Sequence, residues 1–160
     1  MCQNLWPDEL KILVIDDEQE ILNLIRLSLE QAGFRVLRTT RAEEGLALVL
    51  QEKPDLLLLD VMMPDLDGLE LLRRVRRHPT MGQMPVIIVS ARASHINQQR
   101  MLQLSLSDQD VDAFVGKPFN PGALLQTVKT VLTKHKDFIL EKNKRAERRR
   151  EEQTVFLLAG

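Results

Sequence analysis

The sequence has a single cysteine, no excess charge of either sign, no long apolar run and no internal repeat. Each shortage excludes something. One thiol, Cys2, makes neither a disulfide framework nor a cysteine metal cluster, a usage that fits the reducing cytoplasm. The 22 basic and 23 acidic residues leave a net charge of -1, so nothing draws the chain as a whole to nucleic acid or to an anionic membrane. No apolar stretch approaches the roughly 18 residues of a membrane span, and Met1 to Asp8 lacks the basic start and apolar core of a secretory signal. With no repeat, no low-complexity stretch before His135 and 160 residues in all, one compact cytoplasmic domain with a short appendage is expected, and a second full domain does not fit.

What is present is an alternation. Short apolar runs and longer segments of helical periodicity succeed one another from about Lys11 to Thr133, the pattern of a parallel sheet covered by helices on both faces. Five strands are predicted: Lys11 to Ile15, Phe34 to Arg38, Asp55 to Leu59, Val86 to Val89 and Asp112 to Val115. The first, third and fourth are almost wholly aliphatic and belong in the middle of the sheet. A first helix buries Ile21, Leu24, Ile25, Ser28, Leu29 and Ala32 and stops at Gly33. Thr40 with Glu43 predicts a capping box for a second helix, with Leu46, Val49 and Leu50 on its apolar face and a stop at Pro54. Asp67 caps a third, carrying Leu69, Leu72 and Val75 and closed before Pro79. A fourth covers roughly Ser94 to Leu106, and Asn120 with Pro121 opens the fifth.

In an open parallel sheet the loops leaving the carboxyl ends of the strands share one edge, and ligands bind there. At these ends stand Asp16, Asp17 and Glu18, then Asp60, then Ser90, then Lys117 followed by Pro118. Taken singly each is unremarkable: an Asp pair caps turns and helices, and Lys-Pro is a helix-avoiding turn. Together they are a matched set for phosphate chemistry, with clustered carboxylates, one hydroxyl and one fixed cation. Oxygen ligands from Asp17 and Asp60, with Asp16 helping, suit Mg2+ (or Mn2+), which seldom takes an all-protein cage. Asp60 is then a carboxylate nucleophile toward an anionic phosphoryl donor, with Lys117 opposing the charge on the phosphoryl oxygens. Ser90 donates its hydroxyl to a phosphoryl oxygen only after the group arrives.

Ile-Asp-Asp-Glu at 15 to 18, Leu-Leu-Asp-Val-Met-Met-Pro at 58 to 64, Asp-Gly at 67 and 68, Val-Ser-Ala-Arg at 89 to 92 and Lys-Pro-Phe at 117 to 119 occur in one order. In this the chain resembles the receiver domains of bacterial two-component response regulators over about residues 10–134. The resemblance implies a doubly wound α/β fold, a five-stranded parallel sheet in the flavodoxin-like order 2-1-3-4-5. It implies that Asp60 is the phospho-acceptor, that Asp16 and Asp17 are the acid pair, and that Met62 lends its backbone carbonyl to the metal. Ser90 and Lys117 hold the phosphoryl group, and the Lys117–Pro118 bond is expected to be cis. The donor is a histidine kinase or a histidine phosphotransfer protein, and the chain is a signalling phospho-acceptor rather than an enzyme.

Phe114, three residues before Lys117, stands where this family carries a switch aromatic that turns inward as Ser90 moves to the phosphate. As a strand residue it reads equally well as a core phenylalanine. Met62 and Arg92 occupy positions that tune water access to the phosphoryl group. An apolar Met62 and a shielding Arg92 predict slow autodephosphorylation. The chain departs from the family where a Gly-Ala pair is usual: it reads Ser105-Leu106-Ser107-Asp108-Gln109-Asp110-Val111, and Ser90 to Lys117 is longer than usual. That puts partner identity in question more than chemistry.

Residues 1–9 are a lead, and residues 135–160 a charged helical extension of the fifth helix. Leu124, Val128, Val131, His135 and Phe138 keep a seam-like spacing that decays at Lys142, Arg145 and Arg149, admitting a short homodimer contact with the face of the fourth and fifth helices. Glu141 with Arg145 and Arg148 with Glu152 support an exposed helix. The basic run Lys142, Lys144, Arg145, Arg148, Arg149, Arg150 is too short to be a DNA-binding domain, so no direct DNA contact is expected. Two other functions compete: a pseudo-receiver that only docks or dimerises, and an Asp-nucleophile phosphohydrolase. Phosphohydrolases of the haloacid dehalogenase type need a second Asp two residues past the first, where this chain has Met62.

Overall fold

The computed structural model describes residues 9–91 and 98–159. Five strands, β1 (Lys11–Ile15), β2 (Arg35–Thr39), β3 (Leu56–Leu59), β4 (Val86–Ser90) and β5 (Ala113–Gly116), form one parallel sheet in the order β2-β1-β3-β4-β5. The helices are α1 (Gln19–Gln31), α2 (Ala42–Glu52), α3 (Gly68–Arg76), α4 (Gln98–Gln103), α5 (Pro121–Lys134) and α6 (Lys136–Leu158). The doubly wound order expected from the sequence is present, with strand ends displaced by about one residue. Every residue of β3 and β4 is buried, as central strands covered on both faces should be.

The alternation of side chains along each strand sorts the core into two halves. Leu13, Ile15, Leu57, Leu59, Val86 and Ile88 face α2, α3 and α4. Ile12, Val14, Leu56, Leu58, Ile87 and Val89 face α1 and α5. On α1 the buried residues are Leu22, Ile25 and Leu29, whereas Leu24 is exposed. The predicted face was rotated, because three- and four-residue steps fit either stripe and Leu22 lay between the positions chosen. Gly33 ends α1 as foreseen: at φ +93° it lets its own N–H reach Glu30 O and that of Phe34 reach Leu29 O.

The capping box expected at Thr40 and Glu43 is absent. Helix α2 starts one residue later, after Arg41, and its first N–H, that of Ala42, is satisfied by the Asp65 carboxylate at 2.9 Å. Leu50 is exposed rather than buried. Asp67 caps α3 through Leu69 N–H, and Asn120 caps α5 through Ala123 N–H.

The predicted start of the fourth helix, at Ser94, lies outside the described residues, and its end comes at Gln103. Ser105 takes the left-handed φ of 56°, with Leu106 N–H bonding Met101 O and Ser105 N–H bonding Leu102 O, a Schellman ending sealed by buried Met101 and Leu106. A short 3-10 turn, Asp108–Asp110, follows under a Ser107–Asp110 capping box. Arg76 of α3 holds this unusual stretch from below: its guanidinium donates to the carbonyls of Asp110, Gly82 and Met84.

Helix α6 is not a straight continuation of α5. The chain breaks at His135 (φ −102°, ψ 18°), and the second helix crosses the amino-terminal edge of the sheet. The positions proposed for a paired-helix seam are taken up inside the domain: Leu124, Val128 and Val131 are buried, His135 contacts Asp112, and Phe138 packs on both core halves, with Ile139 buried beside it. From Lys144 onward α6 is exposed, ending on Val155, Phe156, Leu157 and Leu158.

Candidate functional site

The ladder bonds of the sheet continue one step past the strand ends and fix the backbone of the site. Asp60 N–H donates to Ile15 O at 2.9 Å, and Lys117 N–H to Ser90 O at 3.0 Å. Asp16, Asp60, Ser90 and Lys117 are therefore held beside one another at the carboxyl edge, where an open α/β sheet binds ligands. Asp16, Asp60 and Ser90 are buried. The Lys117–Pro118 bond is cis. Lys117 Nζ lies 2.6 Å from Asp16 Oδ2, 3.0 Å from Glu18 Oε1 and 3.0 Å from Asp60 Oδ2. The other oxygens are oriented locally: Asp16 Oδ1 accepts from Glu18 N–H, and Asp60 Oδ1 from Met62 N–H, both at 2.9 Å.

Charge is unbalanced here. Asp16, Asp17, Glu18 and Asp60 each offer a carboxylate oxygen, all within 4.8 Å of one another, against one ammonium, that of Lys117, among the described residues. Burial lifts the Asp16 carboxyl above its usual range, opposed by Lys117 and the Glu18 N–H and reinforced by the Asp60 charge. For Lys117, burial pulls the pKa down, but the bonds to Asp16, Glu18 and Asp60 outweigh it and the net shift is upward. Asp16 Oδ2 is ion-paired with the ammonium at 2.6 Å and has no other donor among the described residues. Four carboxylate oxygens gathered around one ammonium leave surplus negative charge that suits a hard divalent cation, so the residues present fit Mg2+.

Of the residues singled out from the sequence, Asp16, Asp17, Asp60, Ser90 and Lys117 are brought to this edge. Met62 stands beside Asp60 with its side chain exposed, and its N–H donates to Asp60 Oδ1. Arg92 lies outside the described residues. Phe114 is 41% exposed, which corrects the core reading: β5 is an edge strand, and this side chain, on the sheet face of Ile88, packs into neither core half.

Three contributors carried no role in the sequence reading. Glu18 was visible only as the last letter of the acidic run, yet it shares the ammonium. Arg100 pairs with Asp67 at 3.0 Å, tying α4 to the loop after Asp60, and no local signal marks a partner 33 residues away. Gly68 sits so close that a Cβ there would lie 2.6 Å from Asp60 O and 2.6 Å from Val61 Cα. Gly68→Ala is therefore expected to push the α3 start off the acceptor loop, costing about 1–3 kcal/mol in a thermal melt and slowing phosphorylation. An unchanged melt and rate would show that the loop yields freely.

A doubly wound sheet that gathers four carboxylates and an ammonium at its carboxyl edge is the arrangement of a phosphoryl-handling α/β module. Residues 12–129 match the family model of the response regulator receiver domain. The phosphate regulon transcriptional regulatory protein PhoB of Pseudomonas aeruginosa is 35% identical over 121 residues, covering 76% of this chain and 51% of that protein. The alkaline phosphatase synthesis transcriptional regulatory protein PhoP of Bacillus subtilis is 36% identical over 122 residues, covering 76% and 48%. Among solved structures, a CheY-like response regulator receiver domain protein of Methanospirillum hungatei superposes with a TM-score of 0.68 at 33% identity, over 80% of this chain and 97% of that one. The BeF3-activated DrrB receiver domain gives 0.62 at 32%, over 78% and 98%. The chain belongs to the response regulator receiver family, a phospho-accepting signalling domain. It spans about half the length of the curated relatives it matches. No helix among the described residues is long and apolar enough to cross a membrane.

Proposed function

We propose that Asp60 accepts a phosphoryl group from a histidine kinase or histidine phosphotransfer protein, and that this reshapes a protein-binding face. The observation that carries the reading is the convergence of Asp16, Glu18 and Asp60 on Lys117 within 3.0 Å. The P–N bond of a phosphohistidine breaks as a carboxylate oxygen of Asp60 bonds to phosphorus, and the imidazole leaves with the electron pair. Asp16, Asp17 and Asp60, with the Met62 carbonyl, would hold Mg2+ (or Mn2+), which when bound neutralises phosphoryl oxygens. Lys117 already faces Asp60, on the side from which it can pair with an oxygen of the product. Ser90, buried at the end of β4, is placed to donate to another.

The receiving surface is the α4, β5 and α5 side, where Leu102 and Phe114 leave apolar area in solvent. Phe114 faces outward here, the position from which a switch aromatic would turn in. Phe114→Ala should leave acetyl phosphate labelling within about twofold of wild type, since it touches none of the reacting groups, while weakening the phosphorylation-dependent partner response. An unchanged response removes Phe114 from the switch. The apolar Met62 side chain beside Asp60 disfavours an ordered attacking water, so the isolated phosphoprotein should lose phosphate slowly, and rapid loss followed by acid-quenched gels would contradict this. The general test is incubation with magnesium and acetyl phosphate: metal-dependent modification supports the acceptor, none supports a docking scaffold, and turnover of an external phosphoester supports a phosphohydrolase.

A further inference from the structure

At the opposite edge of the sheet stand two more carboxylates that the phosphoryl chemistry does not use, Asp55 buried and Asp112 with its side chain 8% exposed. Asp55, just before β3, accepts Lys11 N–H at 2.8 Å with one oxygen and meets Lys142 Nζ at 2.8 Å and Asn143 Nδ2 at 3.2 Å with the other. Lys142 Nζ also donates to Lys53 O at 2.6 Å. Asp112, just before β5, accepts Val86 N–H at 2.9 Å and contacts His135 Nε2 at 2.5 Å. Between these anchors Ile139 is fully buried. His135, Ile139, Lys142 and Asn143 all lie beyond the residues matched by the family model, which end at 129.

We propose that Asp55 and Asp112 form a clamp that docks α6 across the base of the sheet, and that occupation of the Asp60 site loosens it, making α6 a second output element. The proposal rests on the acceptor reading above. Its geometry is specific. Asp55 and Asp60 are five residues apart on β3, and Asp112 and Lys117 five apart on β5, so each strand carries an anchor at one end and a site residue at the other, about 16 Å away. In the sheet β4 separates β3 from β5, and the register sets Asp112 level with Leu57, two residues beyond Asp55, which puts the anchors about 12 Å apart. The helical rise from His135 to Lys142 is about 10 Å, and the Lys142 side chain bridges the remainder.

That match holds for one relative position of the two strands. A helix has fixed rise and cannot follow a shift of β5 against β3 without giving up one anchor. Such a shift is what a phosphoryl group demands: Lys117 now rests on the Asp60 carboxylate itself, and an inserted phosphoryl group moves its partner outward. Release would swing an exposed arm, residues 144–158, about 22 Å long and ending on Phe156 and Leu157.

The test uses the whole chain with magnesium and beryllofluoride, with occupation of the site read independently from the fluorine NMR of the bound fluoride. Hydrogen exchange of residues 139–143 is expected to rise about fivefold or more on occupation, and Lys142→Ala and the isosteric Asp55→Asn to tighten beryllofluoride binding by a similar factor, since coupling is reciprocal. Bound fluoride with unchanged or slower α6 exchange overturns the clamp's role and leaves the acceptor reading standing. No bound fluoride overturns both.

Discussion

Asp60→Asn should yield a folded protein that no longer takes up a phosphoryl group. The amide is the same shape as the carboxylate, and its oxygen still accepts Met62 N–H, while Lys117 keeps Asp16 and Glu18. What is lost is the nucleophile and one of the oxygens around the metal position, so the acetyl phosphate labelling rate should fall by about 10³-fold or more. Intact-mass measurement after incubation with magnesium checks it, with a thermal melt as the control for folding. Labelling at the wild-type rate would place the acceptor elsewhere in the acidic cluster.

The second large effect concerns the other edge. Ending the chain after His135 removes Ile139 from the core and leaves Asp55 without Lys142 and Asn143. Loss of a fully buried isoleucine costs about 1.5–3 kcal/mol, and unpairing a buried carboxylate about 1–3 kcal/mol more. For a domain of this size a loss of that order lowers Tm by about 10 °C, read by calorimetry of residues 1–135 against the full chain. An equal Tm would mean that α6 rests on the base without stabilising it. The docking surface thus crosses the boundary at residue 134 drawn from composition, because the charged run begins before the helix has left the domain. Lys142 belongs to that run by sequence, yet its ammonium is spent on Asp55 and Lys53.

The central strands and the site edge were legible because both signals are local. Leu56–Leu59 and Val86–Ser90 are unbroken aliphatic runs, and the chemistry-bearing residues stand immediately after them, where a parallel sheet brings loops together. Caps built from neighbours in sequence, at Gly33, Asp67 and Asn120, were legible for the same reason. Features made by distant partners were not. Asp65 satisfies the start of α2 from 23 residues away, and Arg76 reaches Asp110 across 34. Thr39, not Thr40, took the local polar role, bonding Arg41 N–H and Glu44. Phe114 was open between two readings because a hydrophobic residue on a short strand does not reveal whether that strand is an edge.

The central claim, that Asp60 is the residue phosphorylated in a metal-dependent reaction, is tested most directly by locating the acyl phosphate. Brief treatment with magnesium and acetyl phosphate, followed by borohydride reduction and peptide mass analysis, converts a phosphorylated aspartate to homoserine. Homoserine at position 60, and none when the metal is chelated, is the predicted result. An unreduced Asp60 alongside homoserine at Asp16 or Asp17, or an unmodified chain, would contradict it.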